Sequence, residues 1–352
     1  MIKYVALDLH QASTSVSVRD ERGRVVRREV IPTSAAAILD VVESIGGTIH
    51  LTFEEGTLSQ WIYDQVVSHV ARVIVCDPRH NRLLSAGNKS DRIDADKLSD
   101  LLRLGALRPV YHERSAVAVL RELVRSYNTL VEDCTRAMLR LKAVFRARGI
   151  DCGGRTVYGP KNRARFLNAL SDRGAQLRAE HLYAQIDSIA AVRATARHQM
   201  LEEAKRHAPI RLLRSIPFIG PVRAAEIVAI LVTPHRFRTR RQLWAYAGLA
   251  VTTRSSAEYR FDSGSAQRSG KRLRRGLNRE FNRTLKKVFK EAAASAVCSS
   301  GAFRDLYERL LARGLRAELA RLTIARKFAT MVLAVWKKGV PFNPKILNPT
   351  LT

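Results

Sequence analysis

Four carboxylates, Asp8, Glu54, Asp91 and Asp94, stand where the chain pattern can gather them, and a hydroxyl, Ser256, closes a Thr/Ser-rich stretch ahead of a dense run of bases. Asp8 sits at the end of one strand-like apolar run and Glu54 immediately after another. Asp91 and Asp94 are spaced i, i+3, which puts both on one helix face, near a helix start that favours negative charge. Four carboxylates in a small volume repel and raise each other's pKa unless cations neutralise them. Hard oxygen ligands suit Mg²⁺ or Mn²⁺, and two such ions can assist both the attacking and the leaving oxygen of a phosphoryl transfer. Singly these residues carry little: an acid at a strand end is commonly a polar terminus, Asp91 alone reads as an N-cap, and of Glu54 and Glu55 only one faces a site. A serine is weakly nucleophilic until a base or metal activates it, and no histidine lies close in sequence to Ser256.

The elements that must position these groups alternate along the first 112 residues. Strand patterns at 2–9, 13–19 and 23–31 follow one another, then a helix at 33–44, a strand at 48–53, a helix at 58–69, a strand at 72–76, and helical patterns at 80–86 and 94–104. Three antiparallel strands followed by strands alternating with helices predict a mixed sheet of the ribonuclease H type, in which the Asp8 and Glu54 strands are neighbours. From 115 to 148, apolar residues recur at steps of three and four, the seam of a coiled coil, and a second helical stretch covers 161–205. Such a seam serves either a hairpin within the chain or a dimer. Residues 212–221 precede a helix at 222–231 in the layout of a helix-hairpin-helix, whose turn amides can face a phosphate. Helices at 240–246, 271–296 and 302–338 follow, the stretch around 252–256 reads as a loop, and 341–352 reads as a tail. The expected domains are 1–112, 113–208 and 209–340.

Charge says what these parts meet. Of 352 residues, 61 are Lys or Arg and 32 Asp or Glu, a net +29; residues 1–112 carry 14 of each sign, so the whole surplus lies in 113–352. Such a field attracts polyanions, nucleic acid foremost. Residues 254–290 hold 12 basic and 3 acidic residues, including Arg254, Arg268, Lys271, Arg272, Arg274, Arg275 and Arg279, a denser run than a mixed solvated face carries. Four scattered cysteines show no metal-ligand spacing, no apolar run is long enough to span a membrane, and the N-terminus has no leader pattern; a cytoplasmic, nucleoid-associated protein is expected.

The Asp8 strand, Phe53-Glu54-Glu55-Gly56 and Lys89-Ser90-Asp91-Arg92-Ile93-Asp94-Ala95 resemble the N-terminal motifs of the DEDD insertion-sequence transposases, a group that includes pilin-gene invertases and bridge-RNA-guided recombinases. Ile216-Pro217-Phe218-Ile219-Gly220-Pro221, Tyr246-Ala247-Gly248-Leu249 with Ser255-Ser256-Ala257, the basic 268–275 stretch and Ala325-Arg326-Lys327 resemble its C-terminal elements in the same order. Phe218 and Ala257 stand where the family usually has glycine. The resemblance implies a RuvC-like catalytic domain, a mainly helical transposase domain, and Asp8, Glu54, Asp91 and Asp94 as holders of Mg²⁺ or Mn²⁺. It further implies that Ser256, with Ser255 as the alternative, attacks DNA to form a seryl-DNA link. The partners it implies are donor and target DNA, a structured guide RNA and further copies of the chain as a dimer or tetramer. Residues alone leave two alternatives open: a metal-dependent nuclease of the junction-resolvase kind, and a nucleic-acid-binding protein without activity.

Overall fold

The computed structural model describes residues 1–80, 91–114, 116–254, 259–262, 265–268 and 274–344. The side chains of 80, 91, 92, 253, 254, 259–262, 266–268, 274 and 275 lie outside that description. Two compact units result, Met1–Ser115 and Ala116–Thr352.

The first unit is built on a six-stranded mixed sheet in the order β3-β2-β1-β4-β5-β6, the RuvC-like arrangement expected of the sequence. Its strands are β1 (Ile2–Leu9), β2 (Ser13–Arg19), β3 (Val25–Pro32), β4 (Thr48–Glu54), β5 (Arg72–Cys76) and β6 (Pro109–Val110). β1, β2 and β3 form the antiparallel meander, β4 lies parallel to β1, β5 parallel to β4, and the short β6 closes the far edge antiparallel to β5. Alternation along β1, β4 and β5 sends odd-numbered apolar residues to one face, where Val5, Leu7, Leu51 and Phe53 pack on α1 (Ala35–Ser44) and α2 (Ser59–Val66). The even-numbered face, with Ala6 and Cys76, packs on Leu98, Leu101 and Leu102 of α3 (Asp91–Arg103). The helix expected at 80–86 falls largely on residues outside the description.

The second unit opens with a helical hairpin of α4 (Ala118–Arg146) and α6 (Arg173–Ala204), joined by a segment containing α5 (Arg163–Asn168). Cys134, Ala137, Leu141, Val144 and Phe145 of the heptad-like seam bury against Ala175, Ala179, Tyr183 and Ile186 of α6. This stretch of the seam is therefore filled within the chain. The helix expected at 161–205 is broken in two, because Asp172 caps α6 by accepting hydrogen bonds from the amides of Gly174 and Ala175. Burial pushes the hydroxyl of Tyr183 up to about 12 while it donates to the carbonyl of Val157, fastening the connecting segment to α6.

Beyond the hairpin, α7 (Ala208–Leu213), α8 (Pro221–Leu231), α9 (Arg240–Tyr246), α10 (Arg283–Cys298), α11 (Ala302–Ala312) and α12 (Ala317–Lys338) share one large core with the first turns of α4 and the end of α6. Two expectations are corrected here. The helix expected at 271–296 begins at Arg283, after the strand β10 (Arg274–Leu277), and the supposed loop at 252–256 begins as β7 (Val251–Arg254), paired antiparallel with β10. A second hairpin joins β8 (Tyr259–Asp262) to β9 (Ser265–Arg268). The single helix expected at 302–338 is divided by Gly314, at φ 81°. No helix among the described residues is long and apolar enough to cross a membrane.

The turn from α7 into α8 puts Phe218 at φ 65°, the left-handed region that a side chain enters at a cost of about 1–2 kcal/mol. The ring offsets that cost by packing edge-on against Phe303 and Phe328, which are themselves stacked at 4.8 Å. The phenylalanine thus keeps the backbone shape of a glycine turn.

Candidate active site

The β1–β4 register places two of the four acids side by side. Leu7 lies opposite Phe53 in the parallel ladder, so Asp8 and Glu54 are the next residues on their strands, and Glu54 is paired with Cys76 of β5. Since Ala6 and Cys76 face α3, strand alternation assigns Asp8 and Glu54 to that same side. Glu55 points elsewhere: its carboxylate meets Nε2 of the buried His112, whose Nδ1 is 3.1 Å from Oε1 of Gln60. Of the adjacent glutamates, Glu54 is therefore the one on the α3 face. His10 Nε2 lies 3.5 Å from Asp8 Oδ2 at the rim.

α3 brings the third acid. Ala95, Leu98, Leu101 and Leu102 are buried, and the same stripe continued toward the helix start carries Asp94 and the backbone position of Asp91. The direction of the helix follows from its contacts: Asp96, near its start, accepts from Ser17, opposite Ala6, and from Arg28, whereas the Arg103 guanidinium at its end lies against Gly23 in the β2–β3 turn, beyond Arg19 and its partner Tyr4. Going up the helix number thus goes down β1, and Asp94 lies toward the Asp8 end. Asp94 Oδ1 is buried with no hydrogen-bond partner among the described residues. A buried carboxylate oxygen without a donor is costly unless a cation takes its lone pairs, and that is what a hard-metal ligand requires. The donor set fits Mg²⁺ or Mn²⁺, although among the described residues no three His, Cys, Asp or Glu side chains are gathered as a shell. The Asp91 side chain lies outside the description.

Asp96 was not singled out by the sequence, yet it fixes this geometry. Arg28 Nε donates to both of its oxygens at 3.0 and 2.9 Å, and Arg19 Nη2 donates to its carbonyl at 3.1 Å. Burial opposes ionisation of Asp96, but the Arg28 and Ser17 hydrogen bonds and the Arg28 and Arg19 charges outweigh it and hold its pKa below the ordinary 3.8. A depressed folded value contributes stability that is complete above the unfolded value and lost as pH falls through the folded one. We expect Asp96→Ala to cost about 1–3 kcal/mol, and amide hydrogen exchange along α3 to quicken in the parent below pH 4 but not in the variant relative to its own neutral baseline. Equal pH dependence in both would refute the assignment.

The serine and the arginines belong to the second unit. Ser255, Ser256, Lys271 and Arg272 lie outside the described residues. Arg254, Arg268, Arg274 and Arg275 are placed on β7, β9 and β10 by their backbones alone, and Arg279 is exposed just after β10. What the structure describes is the base from which the serine-bearing segment leaves. Arg326 Nε donates to the carbonyl of Leu249 at 2.7 Å, Trp244 Nε1 donates to the carbonyl of Arg326 at 3.1 Å, and Asn278 Nδ2 donates to the carbonyl of Ala245 at 3.1 Å. Burial lowers the pKa of Arg326.

Gly248, at φ 65°, is the pivot of this base. A Cβ there would lie 2.4 Å from Cγ and 2.9 Å from Cβ of Phe281, so rotating the ring cannot relieve the overlap. Gly248→Ala is expected to destabilise the second unit by about 2–4 kcal/mol, seen as a melting temperature lower by several degrees. A melting temperature within a degree of the parent would show that the base yields. Sequence reading marked Gly248 only as part of a motif; the partner that forbids a side chain is 33 residues away.

Comparison with known proteins gives three matches. Residues 5–147 match the family model DEDD_Tnp_IS110, described as "Transposase", and residues 210–277 match the model described as "Transposase IS116/IS110/IS902 family". The first match contains Asp8, Glu54, Asp91 and Asp94, and the second contains Ser255, Ser256 and most of the basic run. The chain is also similar to the "Insertion element IS116 uncharacterized 44.8 kDa protein" of Streptomyces clavuligerus, 31% identical over 133 residues, which is 38% of this chain and 30% of that relative.

Proposed function

From the premise that the chain belongs to the IS116/IS110/IS902 family of insertion-sequence transposases, we propose that it is a DNA transposase that cuts and rejoins strands through a serine-linked intermediate. The reading is supported by the β1–β4 register, which sets Asp8 and Glu54 on neighbouring strands toward α3, and by an Asp94 oxygen buried without a hydrogen-bond partner among the described residues. Asp8, Glu54, Asp91 and Asp94 are the residues that would hold Mg²⁺ or Mn²⁺. When bound, the metal would supply positive charge that lowers the pKa of a hydroxyl and stabilises a leaving oxygen.

Ser256 Oγ then attacks a backbone phosphorus. The bond to one deoxyribose oxygen breaks, and that oxygen leaves as a hydroxyl carrying the proton the serine gave up. A hydroxyl of the strand to be joined attacks the seryl phosphodiester in the reverse sense and returns the proton to Ser256. Because one phosphodiester replaces another at each step, no water is consumed and no energy is lost to hydrolysis. The basic residues 254, 268, 271, 272, 274, 275 and 279 would neutralise backbone phosphates. A structured guide RNA would read donor and target by base pairing, leaving the protein shape and backbone contacts, and two or four copies of the chain, working on cytoplasmic nucleoid DNA, would bring the acids and the serine to one phosphate.

The carboxylates alone would equally suit a hydrolytic nuclease, so the two readings are separated by covalency. Purified protein with Mg²⁺, candidate guide RNA and a nicked suicide substrate should give a DNA strand that migrates with the protein on a denaturing gel. Cleaved strands with no protein attached would support hydrolysis instead.

A further inference from the structure

The strongest basic feature outside the acidic face and the 254–290 run lies along the helical hairpin. Residues 134–197 carry 13 Lys or Arg against 4 Asp or Glu. All four acids are already engaged: Asp172 with Arg148, Asp187 with Arg163, Glu180 with Arg173 at 3.8 Å, and Asp151 with the amide of Gly153. Arg136 is paired with Asp133 just ahead of this stretch, and the rest of the surplus has no acid left within 134–197 to neutralise it.

Part of it lines a hollow. A cavity of about 570 Å³ lies between α4, α6 and the connecting segment, bounded by Lys142, Arg155, Arg163 and Arg193 with Asp187 as its one acid. Arg163 is held bidentately by Asp187 at 2.5 and 2.6 Å. Lys142, Arg155 and Arg193 have no ion-pair partner among the described residues, and the Lys142 ammonium sits 5.3 Å over the ring of Tyr158, fixed by a 2.7 Å hydrogen bond to the carbonyl of Gly154. A second hollow of about 480 Å³ follows on the same side of the hairpin and takes Arg197 into its wall. Its charge is nearly balanced, since Glu226 and Glu291 accompany Arg197, Arg223 and Lys287. Both are lined from α4 and α6. On α4, Tyr127, Val131, Thr135, Met138 and Lys142 form one stripe at helical spacing; on α6, Ile186, Ala190, Arg193 and Arg197 form the facing one. From 127 to 142 the stripe is about 22 Å long, the span of about six nucleotide steps along one strand.

We propose that this groove between α4 and α6 binds a nucleic-acid phosphodiester backbone, with Lys142, Arg155, Arg193 and Arg197 as its phosphate contacts. A row of cations along two helix faces, one of them held over an aromatic ring, suits a string of regularly spaced anions. None of the groove's lining residues belongs to the serine-bearing stretch, so its binding of nucleic acid does not depend on strand transfer through Ser256.

The test is the salt dependence of binding by the full chain. Each phosphate contact contributes about 0.7 (single strand) to 0.9 (duplex) to the slope of log K against log salt. The quadruple variant Lys142→Gln, Arg155→Gln, Arg193→Gln, Arg197→Gln should therefore lose about 3 units of slope and bind at least tenfold more weakly at 0.1 M salt. Fluorescence anisotropy with a hairpin RNA and with a DNA duplex of equal length gives the two arms. A larger loss on RNA makes the strand in the groove RNA, and a larger loss on the duplex makes it DNA. The control variant Arg140→Gln, Arg165→Gln, Arg178→Gln, Arg211→Gln removes the same charge from exposed positions that line neither hollow. Should the quadruple variant lose its helical circular-dichroism signal, Thr135→Asp adds a negative charge inside the groove and should weaken binding severalfold on its own. Equal losses in the groove and control variants, or no binding by the parent, would overturn the proposal.

Discussion

Ser256→Ala should abolish protein-linked DNA, with covalent adduct formation falling by roughly 10⁴–10⁶-fold. The size follows from the chemistry. A seryl phosphodiester requires an oxygen nucleophile at that position, and the alanine methyl group offers none, whereas the acids and the basic run remain to bind DNA and cation. Affinity for DNA should therefore change less than twofold while adducts vanish from the denaturing gel. Ser255→Ala, one residue away, should retain adducts. Persistence of adducts in Ser256→Ala together with their loss in Ser255→Ala would move the nucleophile to Ser255, and persistence in both would sink the serine mechanism.

Asp94→Asn should reduce strand cleavage by at least about a thousandfold, and Asp8→Asn likewise, without harming the fold. An amide has nearly the volume of a carboxylate, so packing on the α3 side is kept. What is lost is charge on a carboxylate with one oxygen buried without a donor among the described residues. Replacing a carboxylate that has one oxygen buried without a hydrogen-bond partner among the described residues removes a poorly solvated charge, so the melting temperature of Asp94→Asn without Mg²⁺ should equal or exceed that of the parent. Adding Mg²⁺ should raise the melting temperature of the parent by binding the folded state only, and this increment should be missing from both variants. A variant that melts several degrees lower and keeps its Mg²⁺ increment would mark Asp94 as structural.

The parts of this fold that were legible share one property: their signal was local and periodic. The β1 run ending in Asp8, the β4 run ending in Glu54 and the apolar stripe of α3 each stated their secondary structure and their buried side in a few residues, and the order of strands then made β1 and β4 neighbours. The choice between Glu54 and Glu55 needed His112, which the sequence could not place. Along α4 the three-four spacing announced a seam but not the helix that fills it; Ala175, Ala179 and Tyr183 of the same chain do so. The short strands β7 and β10 were missed because four residues rich in Thr and Arg have no alternation to read and gain their shape from each other across 20 residues of chain. The helix breaks at Asp172 and Gly314 were visible as a capping residue and a glycine, but longer apolar patterns on both sides masked them.

The placement of Asp8 and Glu54 on one side of the sheet is a matter of parity. Even-numbered residues of β1 face α3 and odd-numbered ones face α1 and α2, so deleting a single residue ahead of Asp8 would leave a good strand with its acid in the wrong compartment and a leucine in the right one. Deleting two would restore the side at the cost of one notch of height. Lineages carrying this chain should therefore tolerate many exchanges of one apolar residue for another along β1 while admitting length changes there only in pairs.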